Sequence, residues 1–305
     1  TAMLAELLED EDPTVVVGSI MRSTGSNVRV GKSNLFVVEA CEYNDHFLHL
    51  SPTILVITNI ELDHTDYFRD MGHLLESYTK LIGKLPKDGR LIIDGRMKAA
   101  AMVRGISPCP VIEYQDLEIP ELLVPGDFNK DNARAALAAA KEVADIDGAK
   151  LGAFVGTWRR FEFRGRGKNG CLVYDDYAHH PTAIKKTITA AKEHFPGKKV
   201  VVAFHPHLYS RTRDFMEGFG KSLALADHAY IVPVYPAREE FDGVTTNSRV
   251  VEEIEKHGGS AEVFEQAQME EIIEQYGDDA VFFTMGAGNI NTWIPDYVST
   301  NFKEE

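Results

Sequence analysis

Apolar residues in this chain gather in short unbroken runs. Residues 34–41 (NLFVVEAC), 54–60 (ILVITNI) and 90–94 (RLIID) are such runs, as expected of strands buried on both faces. The pattern predicts a helix over 73–85 between the last two, and alanine-rich 129–144 predicts a strong one. The opening TAMLAELL places Met3, Leu4, Leu7 and Leu8 on one helical face, with no capping residue before it. The second half has a cleaner rhythm. Strands are predicted at 171–175, 199–204, 229–234, 261–264 and 280–285, with helices such as 182–194 and 212–226 between them. Alternating strands and helices predict largely parallel sheets covered by helices, an α/β chain of two doubly wound domains. The glycine- and arginine-rich GTWRRFEFRG (156–165) marks the join, giving domains at residues 1–158 and 159–305.

Composition narrows the classes. The 305 residues suffice for about two domains. With 44% apolar and 26% charged residues the composition is globular, and no apolar run reaches the roughly 20 residues of a membrane span. No membrane partner is expected. The net charge of −15 argues against a nucleic-acid partner, though a local basic site for an anion is compatible with it. Cys41, Cys109 and Cys171 are far apart, which fits reduced thiols in the cytoplasm and no disulfide framework. Nothing in the chain speaks to its oligomeric state.

Ligands of open parallel sheets sit at the carboxyl ends of the strands. In the first half those ends are followed by Glu39, Glu42, Asn59, Glu61, Asp63, His64 and Asp66. In the second they are followed by Asp175, Asp176, Tyr177, His179, His180, His205, His207, Tyr235, Gly286 and Gly288. Two such rims facing each other would make an interdomain cleft. Glu39 and His64, at the ends of neighbouring strands, can either share a divalent cation or hydrogen-bond to each other or to loops. Asn129 and Asn132 share a helix face and can either read a nucleobase edge or cap the helix. The four histidines lack partners at a tight zinc spacing, and the nearby Arg211 and Arg213 read as a grip for carboxylate or phosphate. GSNVRVGKS (25–33) is not a triphosphate loop: five residues separate Gly25 from Gly31, and a strand follows.

In order, EACEYNDHFLHL, TNIELDHTDYF, GDFNKDNARAA, WRRFEFRG, YDDYAHHPTAI, HPHLYSRTRDF, VYPAREE and TMGAGNI resemble the Mur ligase family over nearly the whole chain. The DDYAHHPT and HPHLYSRTRD pair resembles its alanine-adding branch. The resemblance implies a Mur ligase central domain followed by a Rossmann-like C-terminal domain. It implies ATP and Mg²⁺ as cofactors, and UDP-N-acetylmuramate and L-alanine as substrates. The sugar carboxylate would be phosphorylated, and the amino group of alanine would attack the acyl phosphate. On matching positions, Glu39 and His64 would hold Mg²⁺. Asn129 and Asn132 would hold adenosine, Arg160 would face the phosphates, and Asp176 would face the ribose. Tyr177, His179, His207 and Arg211 would surround the alanine, with His64, Arg160 and His179 nearest the chemistry. GSNVRVG would lie near the sugar nucleotide.

Departures are Phe128, where the family usually has histidine, and Leu208, where an arginine is frequent. Lys80 is out of register for the modified lysine of some members. Thr1 stands directly after the place of the family's phosphate loop, so the resemblance implies a longer polypeptide and no ligation by residues 1–305 alone. Another ligase of the family, such as a murein-peptide ligase or folylpolyglutamate synthetase, and a non-catalytic nucleotide-binding module are the competing readings.

Overall fold

The computed structural model describes residues 1–298. The chain divides into two compact units, Thr1–Trp158 and Arg159–Glu305.

The first unit begins with helix α1 (Ala2–Leu7), followed by strands β1 (Thr14–Met21), β2 (Ser26–Arg29) and β3 (Phe36–Val38). After β4 (Ile54–Ile57) come α2 (Met71–Ile82), β5 (Arg90–Ile93), α3 (Ala100–Ile106), β6 (Val111–Glu113) and α4 (Asp127–Lys141). The expected single sheet is instead two. Among the described residues, β2-β1-β3 form one sheet, with β1 antiparallel to β2 and parallel to β3; β4-β5-β6 form a second, all parallel. The sequence reading omitted β1. Gly18 interrupts that run, and a glycine inside a strand weakens its signal. GSNVRVGKS therefore belongs to a β1–β2 hairpin, with Gly25 at φ 65° in the turn.

Helix α4 packs on both small sheets. Ala133, Ala136, Leu137 and Ala140 join the cluster of α1 and β1, while Ala135, Ala138 and Ala139 meet Ile92 and Tyr114. Alanine makes this possible: its short side chain lets two neighbours approach one helix closely at no rotamer cost. Helix α2 starts where the Asp70 carboxylate accepts the His73 N–H at 2.8 Å, a side-chain N-cap.

The second unit holds β7 (Glu162–Arg166), β8 (Leu172–Asp176), α5 (Pro181–His194), β9 (Lys199–Phe204), α6 (Tyr209–Asp214), α7 (Met216–Leu223), β10 (His228–Ile231), α8 (Asn247–Lys256), β11 (Ala261–Val263), α9 (Met269–Glu274) and β12 (Ala280–Met285). Its sheet runs β11-β10-β9-β12-β8-β7, parallel except for β7. The central strands are fully buried, as their VVVAF and AVFFTM runs require. The helix expected over 212–226 is two helices that break at Phe215 (φ −109°, ψ 17°). Gly218 and Gly220 then let α7 lie close to Pro181 and Glu253, where a Cβ would collide. The chain passes from β8 to β9, runs outward to β11, and returns as β12 between them. The loops after β8, β9 and β12 therefore share one edge, the switch point at which such sheets bind ligands. No helix among the described residues is long and apolar enough to cross a membrane.

Candidate functional site

In the second unit the rim is organised around Arg159. Its Nε donates to Asp175 Oδ2 at 2.7 Å, its Nη2 to the Gly286 carbonyl at 2.7 Å, and its Nη1 to the Gly288 carbonyl at 2.8 Å. Both Arg159 and Asp175 are buried, and Thr284 Oγ1 donates a further bond to Asp175 at 2.6 Å. One guanidinium thus ties the end of β8 to the turn after β12. The Arg159 carbonyl accepts the Tyr177 N–H at 2.7 Å, and the guanidinium lies 5.2 Å from the centre of the Tyr177 ring.

Arg159 and Phe161 hold φ of 56° and 49°, a left-handed backbone that costs energy for residues with a Cβ. This backbone turns Arg159 inward and leaves Arg160 exposed, its guanidinium 5.7 Å from the Tyr177 ring. Asp176, expected at a ribose, is instead enclosed. Its oxygens accept the Phe161 N–H at 2.9 Å and the Ala178 N–H at 2.7 Å. Burial pushes its pKa up, opposed by Arg160 and those two N–H groups. In this position it shapes the loop that carries Tyr177 and His179. His179 is half-buried, its Nδ1 2.9 Å from the Tyr177 carbonyl, and His180 caps α5 through the Thr182 N–H.

Beyond β9, buried Arg211 donates from Nη1 to His207 Nδ1 at 3.3 Å. That contact leaves the proton of a neutral His207 on Nε2. Burial, then the charge of Arg211, lowers the His207 pKa to about 4, so the ring is neutral near pH 7. The Tyr235 ring stacks on it at 5.4 Å and 18°. His205 is more deeply buried, and its pKa is also lowered to about 4, chiefly by burial. Leu208 is buried at φ 69°, in a conformation that favours glycine, and its N–H donates to the Tyr235 carbonyl.

In the first unit His64 also has a positive φ, 52°. Its Nε2 lies 3.5 Å from Glu42 Oε1, and its ring stacks at a tilt on Tyr43 at 4.8 Å. The hydrogen bond to His64 holds the Glu42 carboxyl below its ordinary range, against burial. Tyr43 donates to Asp66 at 3.0 Å and Tyr67 to Asp45 at 2.7 Å, which stitches the 43–49 turn to the loop after β4. Glu39 is exposed just past β3, its N–H bonded to Val16 and its carboxylate lying over Gly18. The expectation of neighbouring strands is corrected here: β3 and β4 belong to different sheets, and the carboxylates near His64 Nε2 include those of Glu42, at 3.5 Å, and Asp63, at 4.0 Å. Asn129 donates its side-chain N–H to the Pro125 carbonyl at 2.7 Å, and Asn132 is exposed one turn on; the N-cap position itself is Gly126.

A family model of the Mur ligase middle domain matches residues 3–116, and one of the Mur ligase glutamate ligase domain matches residues 159–288. Over 321 residues the chain is 36% identical to a UDP-N-acetylmuramate–L-alanine ligase of Clostridium acetobutylicum, a match covering 93% of this chain and 69% of that protein. The chain belongs to the Mur ligase family. A relative of the same description from Chlorobaculum parvum is 34% identical, with 95% of this chain and 70% of the relative covered. The crystal structure of the Thermotoga maritima UDP-N-acetylmuramate-alanine ligase superposes with a TM-score of 0.75 at 25% identity, covering 96% of this chain and 70% of that one.

For this Mur ligase the sequence reading singled out Arg160 and passed over Arg159, because two adjacent arginines look alike until the backbone turns one inward. Glu42 was noted as a rim carboxylate and given no role. The signal for it was the EYND run, whose tyrosine and aspartate fix the turn beside His64.

Proposed function

We propose that this chain supplies the central and C-terminal domains of an ATP-dependent ligase that joins L-alanine to UDP-N-acetylmuramate. The observation that carries the reading is 34–36% identity, over 93–95% of the chain, to ligases of that description. It is supported by a second-unit rim that offers a buried arginine and a neutral imidazole, a donor set suited to an amino-acid carboxylate.

In this reading the sugar carboxylate takes the γ-phosphoryl group of ATP, giving an acyl phosphate and ADP. The alanine nitrogen attacks the acyl carbon, and the tetrahedral intermediate expels phosphate. The protein's task is positioning and charge stabilisation. Arg160, exposed beside Tyr177, meets the phosphates. Asp176 acts through the loop it holds rather than on the ribose. Asn132 and Asn129 share a face at the start of α4 and meet adenosine; Asn129 spends one N–H on Pro125. His207 and Arg211 bind the alanine carboxylate, with Tyr177 and His179 beside them.

Glu39 and His64 suit Mg²⁺. Glu39 offers exposed oxygen donors, and Glu42 fixes the His64 ring in the manner of an outer-shell partner. Among the described residues no three His, Cys, Asp or Glu side chains converge on one point, so the cation would complete its shell with water and phosphate. Bound there, Mg²⁺ would offset the charge of the triphosphate.

The test is phosphate release by the protein that carries this chain, with UDP-N-acetylmuramate, ATP, Mg²⁺ and a panel of amino acids and short peptides. L-Alanine-dependent release is expected. Turnover with a preformed peptide and not with L-alanine would assign another ligase of the family. Nucleotide binding without turnover would make the chain a binding module.

A further inference from the structure

The VYPAREE segment, which the proposed function leaves unused, is built against the His207–Arg211 pair. Tyr235 and His207 form a parallel bridge: the Tyr235 N–H donates to the Pro206 carbonyl at 2.8 Å, and the Leu208 N–H donates to the Tyr235 carbonyl at 2.9 Å. The Tyr235 ring covers His207. Ala237, at φ 51°, reverses the chain, and the Glu239 N–H closes the turn on the Pro236 carbonyl at 2.9 Å. The turn delivers the half-buried Glu239 carboxylate to α6. One of its oxygens accepts the Ser210 N–H at 2.9 Å, and the other accepts the Ser210 hydroxyl.

Helix α6 has six residues, too few to stay helical without outside contacts. Its N-cap residue is Leu208, whose buried apolar side chain accepts no hydrogen bond. The Ser210 N–H belongs to the first turn, where no carbonyl of the helix can reach it. Glu239 therefore does from a separate loop what a cap residue does from within the helix, and its charge suits that end of the helix dipole. Arg211 is the next residue in this turn, and its Nη1 meets His207 Nδ1 at 3.3 Å.

We propose that Glu239 is a positioning residue of the amino-acid subsite: through Ser210 it fixes the first turn of α6 and so holds Arg211 against His207. Glu239 acts through the helix and not on the substrate, since both of its carboxylate oxygens are taken up by Ser210. The same segment fixes the other member of the pair, because Tyr235 holds the backbone on either side of His207 and stacks on its ring. One loop thus sets the geometry of both groups that meet the carboxylate of the incoming amino acid. A cap that served helix stability alone would loosen the whole unit when removed; a positioning residue shifts the binding of one substrate.

This inference rests on the ligase reading, and its test separates the two. Steady-state kinetics of the protein that carries this chain are compared for wild type, Glu239→Ala, Glu239→Gln, Ser210→Ala and the double variant Glu239→Ala with Ser210→Ala. Glu239→Ala is expected to raise the KM for L-alanine about tenfold, the worth of one charge-assisted hydrogen bond. KM for ATP should stay within about twofold, since no phosphate contact is removed. Glu239→Gln keeps an acceptor oxygen for Ser210 and should recover most of the loss. Ser210→Ala removes the hydroxyl bond and leaves the carboxylate on the N–H, so KM for L-alanine should rise about threefold; this variant decides the matter if Glu239→Ala does not fold. In the Glu239→Ala background the serine change should add nothing. An unchanged KM for L-alanine, an equal rise for ATP, or additive effects in the double variant would overturn the proposal. A second measurement needs no turnover. The imidazole ¹⁵N signals of His207, assigned against His207→Gln, should be widely separated in wild type, with the proton on Nε2, and should draw together in Glu239→Ala as the Arg211 contact is lost. Signals that do not move overturn the positioning role. If wild type uses a different amino acid, the ligase reading is wrong in its substrate, and the His207 signals still decide the role of Glu239.

Discussion

Arg159→Met is the most informative perturbation of the second unit. Methionine keeps most of the length and apolar stem but removes every donor. Asp175 then stays buried with the Thr284 hydroxyl as its remaining strong partner, and the carbonyls of Gly286 and Gly288 lose their donors. Breaking a buried ion pair from one side costs about 3–5 kcal/mol, because the charge left behind is uncompensated. A domain of this size is stable by roughly 5–15 kcal/mol, so the variant should fold with a clearly reduced urea midpoint. Trp293 packs on the core of this unit, and the chain's other tryptophan is Trp158. In a Trp158→Phe background, Trp293 fluorescence therefore follows this unfolding alone. The double variant Arg159→Met with Asp175→Asn removes the stranded charge, so it should be more stable than the sum of the single effects predicts, by about 1–3 kcal/mol. A loss below about 1 kcal/mol in the single variant, or simple additivity in the pair, would refute the view that Arg159 is held chiefly by its charge on Asp175.

Three further outcomes are expected. Arg211→Lys keeps the charge but loses the planar fork; KM for L-alanine should rise about tenfold or more and exceed any change in KM for ATP, whereas equal effects would point to a phosphate or structural role. His64→Ala should raise the Mg²⁺ concentration needed for half-maximal turnover by about 10-fold or more, and Glu42→Gln should do so to a smaller degree through the imidazole; an unchanged Mg²⁺ titration removes the metal assignment. The pKa values of His205 and His207 fall from 6.5 to about 4 in the folded chain, so the unfolded chain binds more protons between those values. The stability they contribute is complete above about pH 6.5 and lost as pH falls toward 4, about 3 kcal/mol for deeply buried His205. Urea midpoints measured from pH 7 to 4.5 should show this loss, and His205→Asn should flatten it.

Much of the α/β architecture was legible in the residues because buried parallel strands need unbroken apolar runs. KVVVAF and AVFFTM could be bounded to the residue, since charge or glycine brackets each run. The order of chemical motifs carried the family, because those side chains must follow strand ends whatever the packing. What the sequence could not decide was pairing. ILVI and FVV read as neighbours in one sheet, yet hydrogen bonding assigns them to different sheets, because strand order depends on contacts distant along the chain. Nor could it tell Arg159 from Arg160, or show that Asp176 turns inward to backbone N–H groups while Glu42 turns toward His64. Those outcomes follow from positive φ at Arg159, Phe161 and His64, values that local propensity disfavours and the surrounding contacts impose. The sequence determined which groups are available at the strand ends; the tertiary structure decided which of them are spent on holding loops and which remain open to a ligand.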